Sequence, residues 1–219
     1  MDKREIVVKG IGKVSVAPDL LVIDLNFEVV EPEYDKALFT ATERLDALRA
    51  AVATAGHDKK SLKTTRFNVN TKYDSYRDKN DDWKQKFAGF SCAHELRLEF
   101  DLDMKKLGVT LGAIADCPTK PKFSIKFSVK DPNAVSERLL KSAIENAKQK
   151  ADVLTKAAGV MLGAIKRIDY NWSEHHLYSQ TDFCLMESAA DYSKNPRVMD
   201  IEPEDIDLSD SVTVIWSME

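Results

Sequence analysis

The chain has 219 residues, of which 43% are hydrophobic and 31% charged, and its formal net charge at pH 7 is −4. This composition is typical of a folded globular protein, and no apolar run approaches the length of a membrane span. The slight acidity gives no electrostatic reason to expect nucleic acid or an anionic membrane as a partner, and a polar loop is the simpler interpretation of the basic cluster at His57–Arg66.

The first residues and the cysteines bear on the cellular compartment. The start, MDKREIVVKG, places only three apolar residues after its charged beginning, which does not fit a signal peptide. Cys92, Cys117 and Cys184 are odd in number and lack CxxC spacing, which favours reduced thiols over a disulfide framework. We therefore expect a cytoplasmic protein, with a periplasmic or secreted location as the alternative if a signal peptide has been removed.

Two strands are predicted at the start of the chain. In Arg4–Ala17 every second residue is apolar or glycine, and Gly10 and Gly12 lie on the apolar face. Glycine on such a face predicts a close backbone approach or a bulge. Leu21–Val29 alternates in the same way after the turn at Pro18, so the two strands are predicted to form a hairpin.

The middle of the chain alternates between helical and strand patterns. It is predicted to contain a long helix, two strands, a short helix and a further strand, over residues 33–55, 62–76, 87–101, 103–116 and 122–129. The polar connection Asp74–Lys84 is expected to be a mobile loop between the two strands.

The second long helix has clear start and stop signals. Asp131 can cap its first turn, proline follows at the first helical position, and Gly159 suits its end. An apolar stripe that includes Leu154 follows the helix, and three alanines recur within it at steps of four: Ala143, Ala147 and Ala151. Side chains this small predict that the helix lies close to a sheet.

The end of the chain holds two predicted strands, Ala164–Trp172 and Ser209–Met218, around a long irregular segment, residues 171–203. A connection of this length in a compact domain is usually functional or disordered, and its aromatic residues argue against disorder. Trp172, Tyr178 and Phe183 are therefore candidates for an interface with another subunit. The alternative is that the segment folds back over its own sheet.

The predicted order is ββαββαβαβ, a loop and a final β. This order predicts an α+β fold in which two long helices and one short helix pack on a mainly antiparallel sheet. We expect a single domain over residues 1–219, with a division into two sub-domains near residues 102–120 as the alternative.

Motifs of known chemistry are absent from the sequence, which has no P-loop, HExxH, GxSxG or CxxC. His94 falls among predicted core positions, where a hydrogen-bonded structural histidine is more common than a ligand. His175 and His176 lie near Glu174 and Cys184, but adjacent histidines point in different directions in most backbones. We keep these three histidines as weak ligand candidates and predict no metal, cofactor or catalytic residue.

Several pieces along the chain together resemble the SIMPL family, a bacterial family long labelled a domain of unknown function. They are GIGKVSVAPD at residues 10–19, KTTRFNV at 63–69, the alanine-rich helix over 143–159, PEDI at 203–206 and VTV at 212–214. The resemblance implies an α+β protein that forms homo-oligomers and has no agreed catalytic residues. Some members of the family form ring-like assemblies, and some are linked to envelope or oxidative stress.

Two functions follow as expectations. The first is a non-enzymatic, self-associating protein with a scaffold or binding role, a link to stress response and an unidentified protein partner. The second is an enzyme or small-ligand module with a pocket under residues 171–203.

Overall fold

The computed structural model describes residues 4–170, 177–181 and 201–219. The elements are β1 (Glu5–Val16), β2 (Leu20–Glu31), α1 (Tyr34–Thr54), β3 (Lys63–Arg77), β4 (Trp83–Asp101), α2 (Met104–Asp116), β5 (Lys122–Ser128), α3 (Pro132–Ala158), β6 (Leu162–Tyr170) and β7 (Ile206–Met218). This arrangement confirms the α+β class and the predicted order. No helix within these residues has the length and apolar character needed to cross a bilayer.

The chain divides into two compact units, each with its own sheet. The first unit holds α3 and a three-stranded sheet in the order β1-β7-β6. The second unit holds α1, α2 and a four-stranded sheet in the order β3-β4-β2-β5. The chain passes from the first unit to the second after Asp19 and returns after Phe127, so residues 102–120 lie within the second unit.

The predicted hairpin between β1 and β2 is wrong. β1 pairs antiparallel with β7 and β2 with β4, so these neighbours in sequence lie in different sheets. The turn between them is fixed by hydrogen bonds to the end of β5 and the segment after it. The Asp19 N–H donates to the Ser128 carbonyl at 3.0 Å, and the Asp19 carboxylate accepts from the Lys130 N–H at 2.7 Å. A short connection brought β1 and β2 close in sequence but did not fix their hydrogen-bonding partners.

Helix α3 begins and ends as its sequence predicts. The Asp131 carboxylate accepts from the Ala134 N–H at 2.9 Å, and Gly159 closes the helix with a φ of 68°. Ala143, Ala147 and Ala151 are buried, whereas Leu154, predicted to belong to the apolar stripe, is exposed. The buried stripe keeps to steps of four, and the position after Ala151 in that series is 155, so position 154 faces away from the sheet.

Close contact between α3 and β1 confirms the prediction from Gly10 and Gly12. A Cβ atom added at Gly10 would lie 2.7 Å from the Ala147 Cβ and closer still to the Ala143 carbonyl oxygen. A Cβ added at Gly12 would lie 2.8 Å from the Ala143 nitrogen. The glycines of the strand and the alanines of the helix are therefore complementary parts of one interface.

The core of the second unit lies between its sheet and its two helices. It is built from buried residues of β2, β4, α1 and α2, among them Leu21, Ile23, Leu25, Leu96, Leu98, Leu48, Val52, Leu107 and Ile114. Helix α1 packs on β2 and β4. β3 is the outermost strand on the β4 side of the sheet, and nearly all of its side chains are exposed.

The opposite face of this sheet is polar. There Asp24 of β2 forms ion pairs with Arg97 of β4 and Lys126 of β5, each at 2.8 Å. Partial burial favours the neutral carboxyl, yet the hydrogen bonds from Lys126 and Arg97 outweigh it and hold the pKa of Asp24 below its usual value. Asp24 is therefore ionised at neutral pH, and its ion pairs link three strands.

Candidate interaction surface

Of the three aromatic residues predicted to form an interface, only Tyr178 lies within the described residues. Trp172 and Phe183 fall outside them, as do His175 and His176. Tyr178 forms an antiparallel bridge with Ser128, whose hydroxyl donates to the Leu177 carbonyl at 2.7 Å. The segment around Tyr178 is thus attached to the end of β5, while the predicted contact through it stays a prediction.

His94 is a buried histidine of the second core, with 5% of its surface exposed. Its ring packs against Phe27 and Phe67, with centroids 5.4 and 5.0 Å away, and its Nε2 lies 2.9 Å from the Thr64 hydroxyl. Burial, reinforced by the charge of Arg49, lowers the pKa of His94. These contacts fit the structural role favoured by the sequence, and ligand binding at His94 stays a prediction.

Metal-ligating residues are scattered. Within residues 4–170, 177–181 and 201–219, no three His, Cys, Asp or Glu side chains gather closely enough to hold an ion. The two cysteines of these ranges, Cys92 and Cys117, are both buried and free.

The connection predicted as a mobile loop over Asp74–Lys84 is mostly strand. β3 continues to Arg77 and β4 begins at Trp83, with these two residues paired across the hairpin. Asp78 organises the turn: its carboxylate accepts from the backbone N–H groups of Asn80 and Asp82 at 2.8 and 3.1 Å. Both faces of this part of the hairpin are exposed, so the alternation that normally identifies a strand is absent from its sequence.

An aromatic row extends along the hairpin from the start of α1. It consists of Tyr34, Phe90, Phe87 and Tyr73, whose successive ring centroids are 5.7, 5.5 and 5.8 Å apart. Nearer the turn, the Arg77 guanidinium lies 5.0 Å from the ring of Trp83, which is 68% exposed. Neighbouring exposed aromatic residues of this kind mark interaction surfaces.

The edge of β3 adds backbone groups to this surface. The strand has 15 residues, and all but Val69 and Lys72 are exposed. Among the described strands β3 pairs with β4 alone, so half of the N–H and C=O groups of β3 point away from the sheet. Such an edge is a template for pairing with another strand.

The edge of β1 shows what a protected edge looks like in the same chain. Three polar side chains of α3, spaced four residues apart, bond to its backbone. Asn146 accepts from the Ile11 N–H at 3.0 Å, Ser142 from the Lys13 N–H at 3.2 Å, and the Lys150 ammonium donates to the Lys9 carbonyl at 3.1 Å. Within the described residues, no side chain of another element makes a comparable bond to the outer edge of β3.

The sequence held a signal for this surface that its polarity concealed. Tyr73, Tyr76, Trp83 and Phe87 flank the turn in a stretch whose other residues are all polar or charged. Aromatic residues at that density in a polar hairpin are unusual for a solvated loop and suit a contact surface.

Comparison with known proteins gives a family match and two relatives. The family model described as SIMPL, protein of unknown function (DUF541), matches residues 6–216. The 26 kDa periplasmic immunogenic protein of Brucella melitensis is 25% identical over 163 residues, which are 74% of this chain and 65% of the relative. The protein of the same name from Brucella abortus is 24% identical over the same shares. The match thus spans just under two thirds of these relatives' length.

Proposed function

Since the chain belongs to the SIMPL family, whose function is unknown, we propose that it is a non-enzymatic protein that associates with copies of itself and acts as a scaffold or a binding platform. The observation that carries this proposal is the exposed 15-residue edge strand β3 beside the aromatic row. Pairing of that edge gives partners to its outer N–H and C=O groups and removes aromatic surface from water.

The contrast between the two edges strengthens this proposal. β1 is covered by three side chains of α3, so its backbone groups already have partners. Within the described residues, no side chain of another element bonds to the outer edge of β3, although it is the longer strand. An edge of this length without such cover among the described residues is a surface suited to strand addition.

An enzyme or ligand-binding module with a pocket under residues 171–203 is the alternative, and no observation on the described residues favours it. The proposal also includes an unidentified protein partner and a role in stress response, both implied by the family resemblance.

The experiment is light scattering on the purified full chain across a range of concentrations. Tyr73→Lys places a charge on the aromatic row, and Ile165→Lys on β6 is its matched control, because each native side chain is 52% exposed. We expect an oligomer whose mass falls in Tyr73→Lys and is unchanged in Ile165→Lys. A wild-type chain that stays monomeric at every concentration would overturn the proposal.

We keep the cytoplasmic location as part of the proposal. Cys92 and Cys117 are free thiols, as a reducing compartment favours. The two Brucella relatives are named as periplasmic proteins. The periplasm is therefore the location against which the proposal is tested. Recovery of the native protein in the osmotic-shock fraction of its cells would reject the cytoplasmic location, and recovery with the cytosolic fraction would support it.

A further inference from the structure

We propose that β3 pairs antiparallel with β3 of a second copy, so that two four-stranded sheets join into one continuous sheet centred on Asn70. This inference rests on the proposed self-association and adds the partner strand, its direction and its register. It is carried by the length of the strand, its exposure and the positions of its charges and aromatic rings.

β3 is the best suited of the four edge strands. β1 is blocked by the side chains of α3. β5 has seven residues and is partly buried, and β6 is interrupted by two register shifts. From Arg66 to Arg77, β3 itself contributes no bulged residue to its pairing with β4.

Symmetry restricts the registers open to this pair. Two copies of one strand that pair antiparallel are related by a two-fold axis perpendicular to the sheet, which keeps each side chain on its own face. Residues that face each other must then have numbers whose sum is constant and even. A sum of 140 places Asn70 opposite itself and pairs the strand regularly from Arg66 to Asp74, clear of the bulge between Thr64 and Arg66.

On the polar face, this register places opposite charges together. Arg66 faces Asp74 of the second copy, and the two-fold axis repeats the pair. Among the described residues, the one ion-pair contact of Arg66 is a long one of 3.9 Å to Glu95, and Asp74 forms no ion pair.

On the other face, the same register pairs aromatic residues. Phe67 and Tyr73, which are 45% and 52% exposed, face each other across the two copies, again twice. Both belong to the face that carries His94 and Cys92 on β4, the side on which the core lies. Directly opposed aromatic side chains stabilise antiparallel pairs by about 0.2–1 kcal/mol each.

Neighbouring registers lose these contacts. A sum of 138 brings Arg66 opposite Lys72, and a sum of 142 brings it opposite Tyr76. A sum of 146 pairs Lys72 with Asp74 and Tyr73 with itself, but Lys72 already forms an ion pair with Glu28 of β2 at 3.3 Å. The ion pair between Arg66 and Asp74 and the pairing of Phe67 with Tyr73 therefore occur together only in the register centred on Asn70.

The test uses two charge-reversal variants, whose association is measured for each variant alone and for an equimolar mixture of the two. In Arg66→Asp, position 66 and Asp74 repel across the pair, and in Asp74→Arg, position 74 and Arg66 repel. We expect each variant alone to associate about tenfold or more weakly, since reversal affects two symmetry-related pairs. An equimolar mixture restores opposite charges at both positions, so a mixed pair with wild-type affinity is expected in native mass spectrometry.

A cross-linking experiment tests the centre of the pair independently. Directly opposed residues have Cβ atoms about 4.5–5.5 Å apart, within reach of a disulfide after small adjustments. Asn70→Cys should form a covalent dimer under mild oxidation, whereas the control Asn68→Cys, which faces Lys72, should not exceed the wild-type background.

The outcomes separate this inference from the proposed function. If neither charge reversal weakens association, or if cysteines at positions 68 and 70 cross-link equally, the proposed β3 register is rejected, while self-association is still supported. A wild-type chain that is monomeric throughout would reject both.

Discussion

A single methyl group at Gly10 tests the interface between β1 and α3. In Gly10→Ala the new Cβ would lie 2.7 Å from both the Ala147 Cβ and the Ala147 nitrogen, and closer to the Ala143 carbonyl. Ordinary contact needs about 3.5–4.0 Å, so the helix must move away by about 1 Å. None of the atoms it meets is the end of a flexible side chain, so the strain cannot be relieved by a change of rotamer.

The expected cost is about 1–3 kcal/mol of unfolding free energy from overpacking. Movement of α3 also lengthens its three hydrogen bonds to the β1 edge, each worth about 0.5–1.5 kcal/mol. The gain in strand propensity from alanine is smaller than these losses. Destabilisation near the upper end of the range is therefore expected.

Urea unfolding followed by circular dichroism measures this effect, and Gly112→Ala is the matched control. Gly112 lies inside α2, and a Cβ there would meet nothing within 4 Å. The same substitution should stabilise α2 by about 0.8–1.0 kcal/mol through helix propensity. Equal or greater stability of Gly10→Ala would refute the close approach of α3 to β1.

Three further predictions concern the two units. Ala147→Leu should overpack the same interface and reduce the free energy of unfolding by about 1–3 kcal/mol, which a thermal melt should show as a lower melting temperature. Asp131→Ala removes the cap of α3 and should cost about 1 kcal/mol in urea unfolding. Burial lowers the folded-state pKa of His57 and His94, so below their ordinary pKa of 6.5 the unfolded chain binds more protons. The free energy of unfolding should therefore fall as the pH drops from 7.5 to 5.5. The fall should be smaller in the double variant His57→Gln/His94→Gln.

The sequence predicts elements whose signals are local. Asp131 and Gly159 bound α3 because a cap and a left-handed residue act on their own neighbours. Gly10 and Gly12 indicated a close approach because glycine is rarely favoured on an apolar strand face. The partner of β1 could not be predicted this way, since alternation fits any sheet and the pairing with β7 spans nearly the whole chain.

The candidate surface was harder to predict because it depends on a bulge. Phe87 and Phe90 are three residues apart, and regular alternation places them on opposite faces. In the structure the pairing steps from Lys72 with Gly89 to Tyr73 with Phe87, so one residue of β4 is skipped. The shift brings both rings into the aromatic row, an arrangement that sequence spacing alone does not reveal.

The pairing of β1 with β7 also has a consequence for synthesis on the ribosome. Val8 lies opposite Val214, so the first unit cannot complete its sheet until almost the whole chain has been translated. At about 5–20 residues per second, that is a delay of roughly 10–40 seconds. The second unit draws its four strands and two helices from one continuous stretch, Leu20–Phe127. It can therefore fold before β7 has been synthesised, while β1 is still unpaired. Slower translation would prolong the interval in which β1 can pair with an incorrect strand.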